Sequence, residues 1–266
     1  MGHIFWNERI KLIDSGEMVK VLAIGDSWFH YPANNLITPL HEALERPTMY
    51  VIGENGARAD ELCAGHWLAS FRAMLADYPT IELVAISAGG NDFAGIGDLD
   101  ARILRPDCAG APSADACYRP GQPVGVFADV ANAYRILIAA VAAVRPDATI
   151  LLHNYDYAIP DGKTVLGLKS WLKLPMDNCR VPLPGAPLGG IRRDVVRGLI
   201  DQFTLCLDDL LTPAGTTGRP HVDLVWSAGT LADDAWANEL HPRSGGFTRL
   251  ANQCWAGPAR AALGLP

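Results

Sequence analysis

Five short apolar runs, separated by longer stretches of helical periodicity, constrain this chain more than any other feature. The runs are Val19–Ile24, Met49–Ile52, Ile81–Ile86, Ala148–His153 and Val222–Trp226. They are nearly continuous in hydrophobicity rather than alternating, which is the pattern of strands buried on both faces. Between and after them, the spacing predicts helices over Asn35–Glu45, Arg58–Leu75, Val126–Val144, Ile191–Leu211 and Gly246–Leu263. Strands alternating with helices imply a doubly wound α/β sandwich of about five parallel strands, with helices on both faces. A chain of 266 residues, 49% of them hydrophobic, fills one such domain spanning 1–266. In sheets of this kind ligands bind beyond the carboxyl ends of the strands, so that edge is where chemistry is to be sought.

Two stretches break the alternation, Arg102–Val124 and Tyr155–Gly190. Loops of this length are uncommon unless functional or disordered, and both are too apolar for disorder. They are expected to form walls or a lid over a pocket at the carboxyl edge, with 165–174 as the candidate lid. The formal net charge of -7 and the lack of a basic run argue against nucleic acid as a partner. No apolar stretch approaches the roughly 18 residues of a membrane span. The longest, Ile136–Val144, reads as a buried helix. Met1–Lys20 has no hydrophobic leader, so a cytoplasmic location is expected. The six cysteines include no C-x-x-C pair, which disfavours a structural zinc. A local Cys108–Cys117 disulfide and free thiols are equally compatible with the spacing.

Four strand ends carry apt residues. The first run ends in Gly25-Asp26-Ser27, and a serine at a strand-to-helix turn exposes its hydroxyl to a base. Serine in such a place also serves as a plain helix cap. The second run is followed by Glu54-Asn55-Gly56, where glycine lets a backbone N–H aim at a ligand. The third ends in Gly89-Gly90-Asn91-Asp92, which puts an amide donor at the same edge, suited to a developing oxyanion. After the fifth comes Asn238-Glu239-Leu240-His241-Pro242, where Pro242 holds the histidine backbone extended. Each block alone has an ordinary structural explanation. Four coinciding at one edge make accident a poor account.

In that order the blocks resemble those of the SGNH (GDSL-like) hydrolase superfamily, over most of the chain. The resemblance implies a flavodoxin-like three-layer α/β/α sandwich and hydrolysis of carboxylic esters or thioesters. It implies Ser27 as nucleophile, His241 as general base, and an oxyanion hole from the Ser27 N–H, the Gly56 N–H and the Asn91 side chain. It implies no cofactor and no metal. Two positions depart from the family pattern. Asn238 stands where an aspartate usually orients the histidine; an amide oxygen still accepts from the imidazole but brings no charge. Glu239 and Asp234 are the alternative carboxylates, and a Ser27–His241 dyad is the remaining option. The glycine block reads Gly56-Ala57-Arg58 where Gly-Asp-Thr is usual.

Two other functions compete. A metal-dependent phosphoesterase would draw ligands from Asp26, His30, Asn91, Asp92, His153 and His241, but lacks a carboxylate–His pair one residue apart on the first strand. A non-catalytic binding domain would keep the fold without the chemistry. For an esterase, the partner is a small-molecule ester, and Trp28, Phe29, Tyr31, Tyr155, Tyr157 and Trp171 are the aromatic residues near the mouth. Trp28, Phe29, Tyr155 and Trp171 are the candidates to hold an apolar acyl group.

Overall fold

The computed structural model describes residues 1–32, 34–164, 170–183 and 190–266. Among these, six strands form one sheet: β1 (Ile4–Trp6), β2 (Val21–Gly25), β3 (Met49–Gly53), β4 (Leu83–Ser87), β5 (Thr149–His153) and β6 (His221–Val225). Their order is β1-β3-β2-β4-β5-β6 and every pair is parallel. Without β1 this is the flavodoxin-like order, which puts the topological switch point between β2 and β4. Every residue of β2, β3 and β4 is buried, as their unbroken apolar runs require. The short β1 lies outside the five expected strands. Its three residues pair only with β3, and three residues are too few to show a period.

The helices are α1 (Arg9–Ser15), α2 (Ser27–His30), α3 (Ile37–Ala43), α4 (Ala59–Leu62), α5 (Gly65–Asp77), α6 (Gly90–Phe93), α7 (Val124–Val144), α8 (Lys173–Asn178), α9 (Ile191–Asp208), α10 (Ser244–Leu250) and α11 (Ala256–Ala262). One packed group is α4, α5, α7 and α9; the other is α3, α10 and α11, joined through a π-helical turn at Ala251–Trp255. These are the two outer layers of an α/β/α sandwich. The single helix expected over 58–75 is two helices, because Ala64 takes an extended conformation between them. The closing helix is likewise α10 and α11 with the π turn between, and Trp255 of that turn is fully buried.

At 21 residues and a mean hydropathy of 1.6, α7 is long and apolar enough to cross a bilayer by length and composition. This corrects the expectation that no stretch approaches that length: polar residues such as Asp129, Asn132 and Arg135 break the apolar run, yet its mean hydropathy stays high. Here half of the helix is buried inside the domain. Phe127, Val130, Tyr134, Leu137 and Val141 recur at helical spacing on its inner face, as in a core helix.

The two long insertions differ in role. Tyr155–Gly190 supplies Tyr155, Asp156, Ala158 and Leu172 to the pocket described below. Arg102–Val124 supplies no described lining residue, which corrects the expectation that it walls the site. Instead it braces the outer side of α9, where the Tyr118 hydroxyl donates to the Val195 carbonyl at 2.9 Å. Residues 165–169, half of the expected lid, lie outside the described residues. All six cysteines are free thiols. Cys108 and Cys117 are both buried, and burial pushes the Cys117 thiol up to about 12, aided by Cys108 beside it.

At the carboxyl ends of β2 and β3, Gly25 and Gly53 are register partners. A Cβ on Gly53 would lie 1.9 Å from the Gly25 carbonyl oxygen, and Gly53 has φ +127°. Only glycine permits both the conformation and the approach.

Candidate active site

Ser27 opens α2 directly beyond β2. The helix is capped not by Ser27 but by Asp26, whose carboxylate accepts the Trp28 N–H at 3.0 Å. With capping done by its neighbour, the Ser27 hydroxyl is free for another partner. That partner is His241, whose Nε2 lies 2.7 Å from Ser27 Oγ.

His241 arrives on the loop after β6. Asn238 Oδ1 accepts the N–H of Leu240 and the N–H of His241, each at 2.9 Å. Two backbone donors on one atom identify that atom as the amide oxygen, which can only accept. It also lies 3.2 Å from His241 Nδ1, so Nδ1 carries the proton and Nε2 offers its lone pair to the serine hydroxyl. Burial holds the imidazole down to about 4, so it is neutral and able to accept a proton near pH 7. The loop is tied to the nucleophile by the Trp28 indole N–H, which donates to the Leu240 carbonyl at 3.0 Å. Tyr31 stacks on the His241 ring with centroids 4.3 Å apart.

The alternative carboxylates have other employment. Glu239 is fully buried and accepts three backbone N–H groups, from Gly162, Leu172 and Lys173 at 3.0, 2.9 and 2.8 Å. It fastens the described ends of the second insertion to the histidine loop. Asp234 is exposed. The geometry therefore assembles Ser27, His241 and Asn238 in a line.

Of the expected oxyanion donors, Asn91 sits in α6 beyond β4 and donates one amide hydrogen to the Ala57 carbonyl at 3.0 Å. Ala57 follows Gly56, which has φ +83° in the exposed turn beyond β3. The Asn91 and Gly56 blocks are thus hydrogen-bonded to one another, and the second Asn91 amide hydrogen remains available.

A small, mostly apolar pocket opens at Ser27 and Asn91. Of the four aromatic candidates, Trp28 and Tyr155 line it. Phe29 does not: it is fully buried, and its ring packs against His153 and Trp255 in the core. Trp171 stands edge-on to His241 with centroids 6.3 Å apart, outside the pocket lining. Tyr157 is turned to the surface, donating to Asp201 at 2.7 Å. The wall that sequence reasoning missed is α9, through Val196, Leu199 and Ile200. Its periodicity marks an inward face, but nothing in a periodicity says which part of that face meets a void.

Of the residues considered as metal ligands, Asp26 and His153 are engaged in a buried hydrogen-bond network. Among the described residues, no three His, Cys, Asp or Glu side chains gather as a metal site.

No protein-family model matches the chain, and no curated protein matches it in sequence. In structure it is similar to a lipase from a goat rumen metagenome, with a TM-score of 0.57 at 12% identity, covering 92% of this chain and 97% of that one. It is similar to a carbohydrate esterase family 3 protein from Talaromyces cellulolyticus, TM-score 0.50 at 13% identity, covering 94% and 100%. It is also similar to a carbohydrate acetylesterase family member from Sinorhizobium meliloti, TM-score 0.50 at 15% identity, covering 93% and 100%. The chain therefore shares the α/β fold of this lipase and these carbohydrate esterases.

Proposed function

We propose that the protein is a serine-dependent carboxylic ester hydrolase acting through an acyl-enzyme on Ser27. The observation that carries this reading is the 2.7 Å contact between Ser27 Oγ and His241 Nε2 at the switch-point edge of the sheet. His241 takes the Ser27 proton as Oγ attacks the acyl carbon. The carbonyl oxygen, now anionic, is met by the N–H groups of Ser27 and Gly56 and the free Asn91 amide hydrogen. Collapse of the tetrahedral intermediate expels the alcohol, which takes the proton from His241. Water then repeats the sequence and releases the acid. Asn238 holds the imidazole in the reactive tautomer without adding charge.

The pocket supports an apolar acyl group. Its two carboxylates are already engaged: Asp26 accepts from Trp28, Ser87 and Tyr155, and Asp156 from the N–H groups of Tyr157, Gly229 and Leu231. Among the described residues, no cation lines it to bind a charged acyl end. Nitrophenyl esters of increasing acyl length test both parts. Butyrate or longer esters should be preferred over acetate, and Ser27→Ala should lose about 10³-fold or more of the rate. Labelling with a phosphonofluoridate should add one adduct that Ser27→Ala lacks. An adduct persisting in that variant, or no ester turnover by the parent chain, would exclude the reading.

A further inference from the structure

Behind the nucleophile lies a buried chain of polar side chains that the reaction steps above do not use. His153 Nε2 is 2.9 Å from Ser87 Oγ. Ser87 Oγ donates to Asp26 Oδ1 at 3.1 Å, beside the Trp28 N–H on the same oxygen. The Tyr155 hydroxyl donates to Asp26 Oδ2 at 2.7 Å. A hydroxyl has one hydrogen, and this one is committed to a carboxylate. The Gly90 N–H, 3.2 Å away, therefore donates to the same phenolic oxygen. One oxygen atom thus joins the residue before the nucleophile to the residue before Asn91.

Resting on the serine-hydrolase reading, we propose that Tyr155 is a positioning residue that sets the spacing between Ser27 and the Asn91 oxyanion donor. Three further observations support it. Tyr155 has φ +61°, a left-handed conformation unfavourable for a bulky residue and kept only where the surroundings impose it. The surroundings do impose it on both sides. Asn154 bonds Thr204 and the Ser227 N–H, each at 2.9 Å, and Asp156 accepts from Gly229 and Leu231. The ring is then clamped between Trp28 and Phe203. Finally, a Cβ at Gly90 would lie 3.2 Å from Tyr155 Cζ and 3.5 Å from Asp26 Oδ2. The glycine before Asn91 is what lets the phenol come this close. This accounts for Gly90 without assigning it any contact with substrate.

The test is Tyr155→Phe, which keeps the ring and removes the bridge, measured alone and with Asn91→Ala on a nitrophenyl ester. Misplacing an oxyanion donor lowers kcat by on the order of 10- to 100-fold. KM should stay within about twofold, since the ring still lines the pocket. In the Asn91→Ala background the same substitution should cost less than about threefold, because a donor already absent cannot be misplaced. A purely structural tyrosine would lower the melting temperature and leave kcat unchanged well below it. An unchanged kcat, or an equal loss in both backgrounds, overturns the proposal. Should Tyr155→Phe fail to fold, Gly90→Ala, whose Cβ would lie 3.2 Å from Tyr155 Cζ, pushes the phenol off the Gly90 N–H and is held to the same non-additivity. A parent chain that turns over no ester, or a Ser27→Ala variant as active as the parent, sinks the hydrolase reading instead.

Discussion

Replacing Asn238 by aspartate puts a negative charge where the structure has an uncharged amide oxygen 3.2 Å from His241 Nδ1. The two backbone N–H donors to that oxygen suit a carboxylate equally well, so the loop should keep its shape. Two unit charges about 4 Å apart attract by about 4 kcal/mol at the effective dielectric of a protein. Asn238 is buried, so desolvation of the new carboxylate offsets part of this. A carboxylate in such a place raises a neighbour's pKa by about one to three pH units. The His241 imidazole, held down to about 4 by burial, should therefore titrate nearer 6. Two pH units correspond to about 2.7 kcal/mol in favour of imidazolium. If half of that is expressed when the proton transfers, kcat rises about tenfold. NMR titration of the imidazole, assigned by its absence in His241→Gln, reads the first quantity, and steady-state kinetics at pH 8 reads the second. Asn238→Ala is the control. It leaves two backbone donors and the imidazole without an acceptor, at about 1–3 kcal/mol for each buried donor, and should slow turnover at least tenfold. An Asp variant with an unmoved titration, or an Ala variant with parental kcat, would refute the relay and leave a Ser27–His241 dyad.

Glu239→Gln should loosen the second insertion, since an amide accepts through only one of its two ends and leaves one of three backbone N–H groups facing a donor. A loss of about 1–3 kcal/mol in urea unfolding should accompany a raised KM, because Leu172 lines the pocket, while kcat is nearly retained. Gly53→Ala drives a Cβ into the Gly25 carbonyl at 1.9 Å, and should cost more than about 4 kcal/mol; parental urea stability would contradict the close approach. Stability against pH follows from four buried groups. Burial holds His153 at about 3 and His241 at about 4, against 6.5, so the unfolded chain takes up their protons first and each withdraws stability as pH falls below 6.5. Burial pushes Asp26 and Asp92 up to about 6 from 3.8, so the native state takes up theirs first and each adds stability as pH falls from 6. Between about pH 6 and 4 the two pairs cancel. His153→Gln removes one opposing term, and its stability should gain about 1.4 kcal/mol per pH unit relative to the parent on acidification. Equal slopes for the two proteins would show that His153 is not held neutral.

The layered α/β architecture, the edge of the sheet at which Ser27, Asn91 and His241 meet and the strand ends that carry them are all legible in the amino-acid order. The physical reason is that these are local or periodic properties. A strand buried on both faces must be apolar throughout, and a parallel sheet must interleave helices. A glycine, asparagine or serine at a strand end leaves its mark within a few residues. Which of Asn238, Glu239 and Asp234 meets His241 follows only from the folded arrangement. All three lie within seven residues of it, and Glu239 is drawn away by backbone donors from elsewhere in the chain, Gly162, Leu172 and Lys173. The same holds for Phe29, which neighbours Ser27 in sequence yet points into the core because β5 and the turn holding Trp255 leave it that space. It holds for α9, whose apolar face gave no sign that Val196, Leu199 and Ile200 border a void. Above all it holds for the phenol of Tyr155, 128 residues from Ser27. Its place between Asp26 and Gly90 exists only once three strands lie side by side.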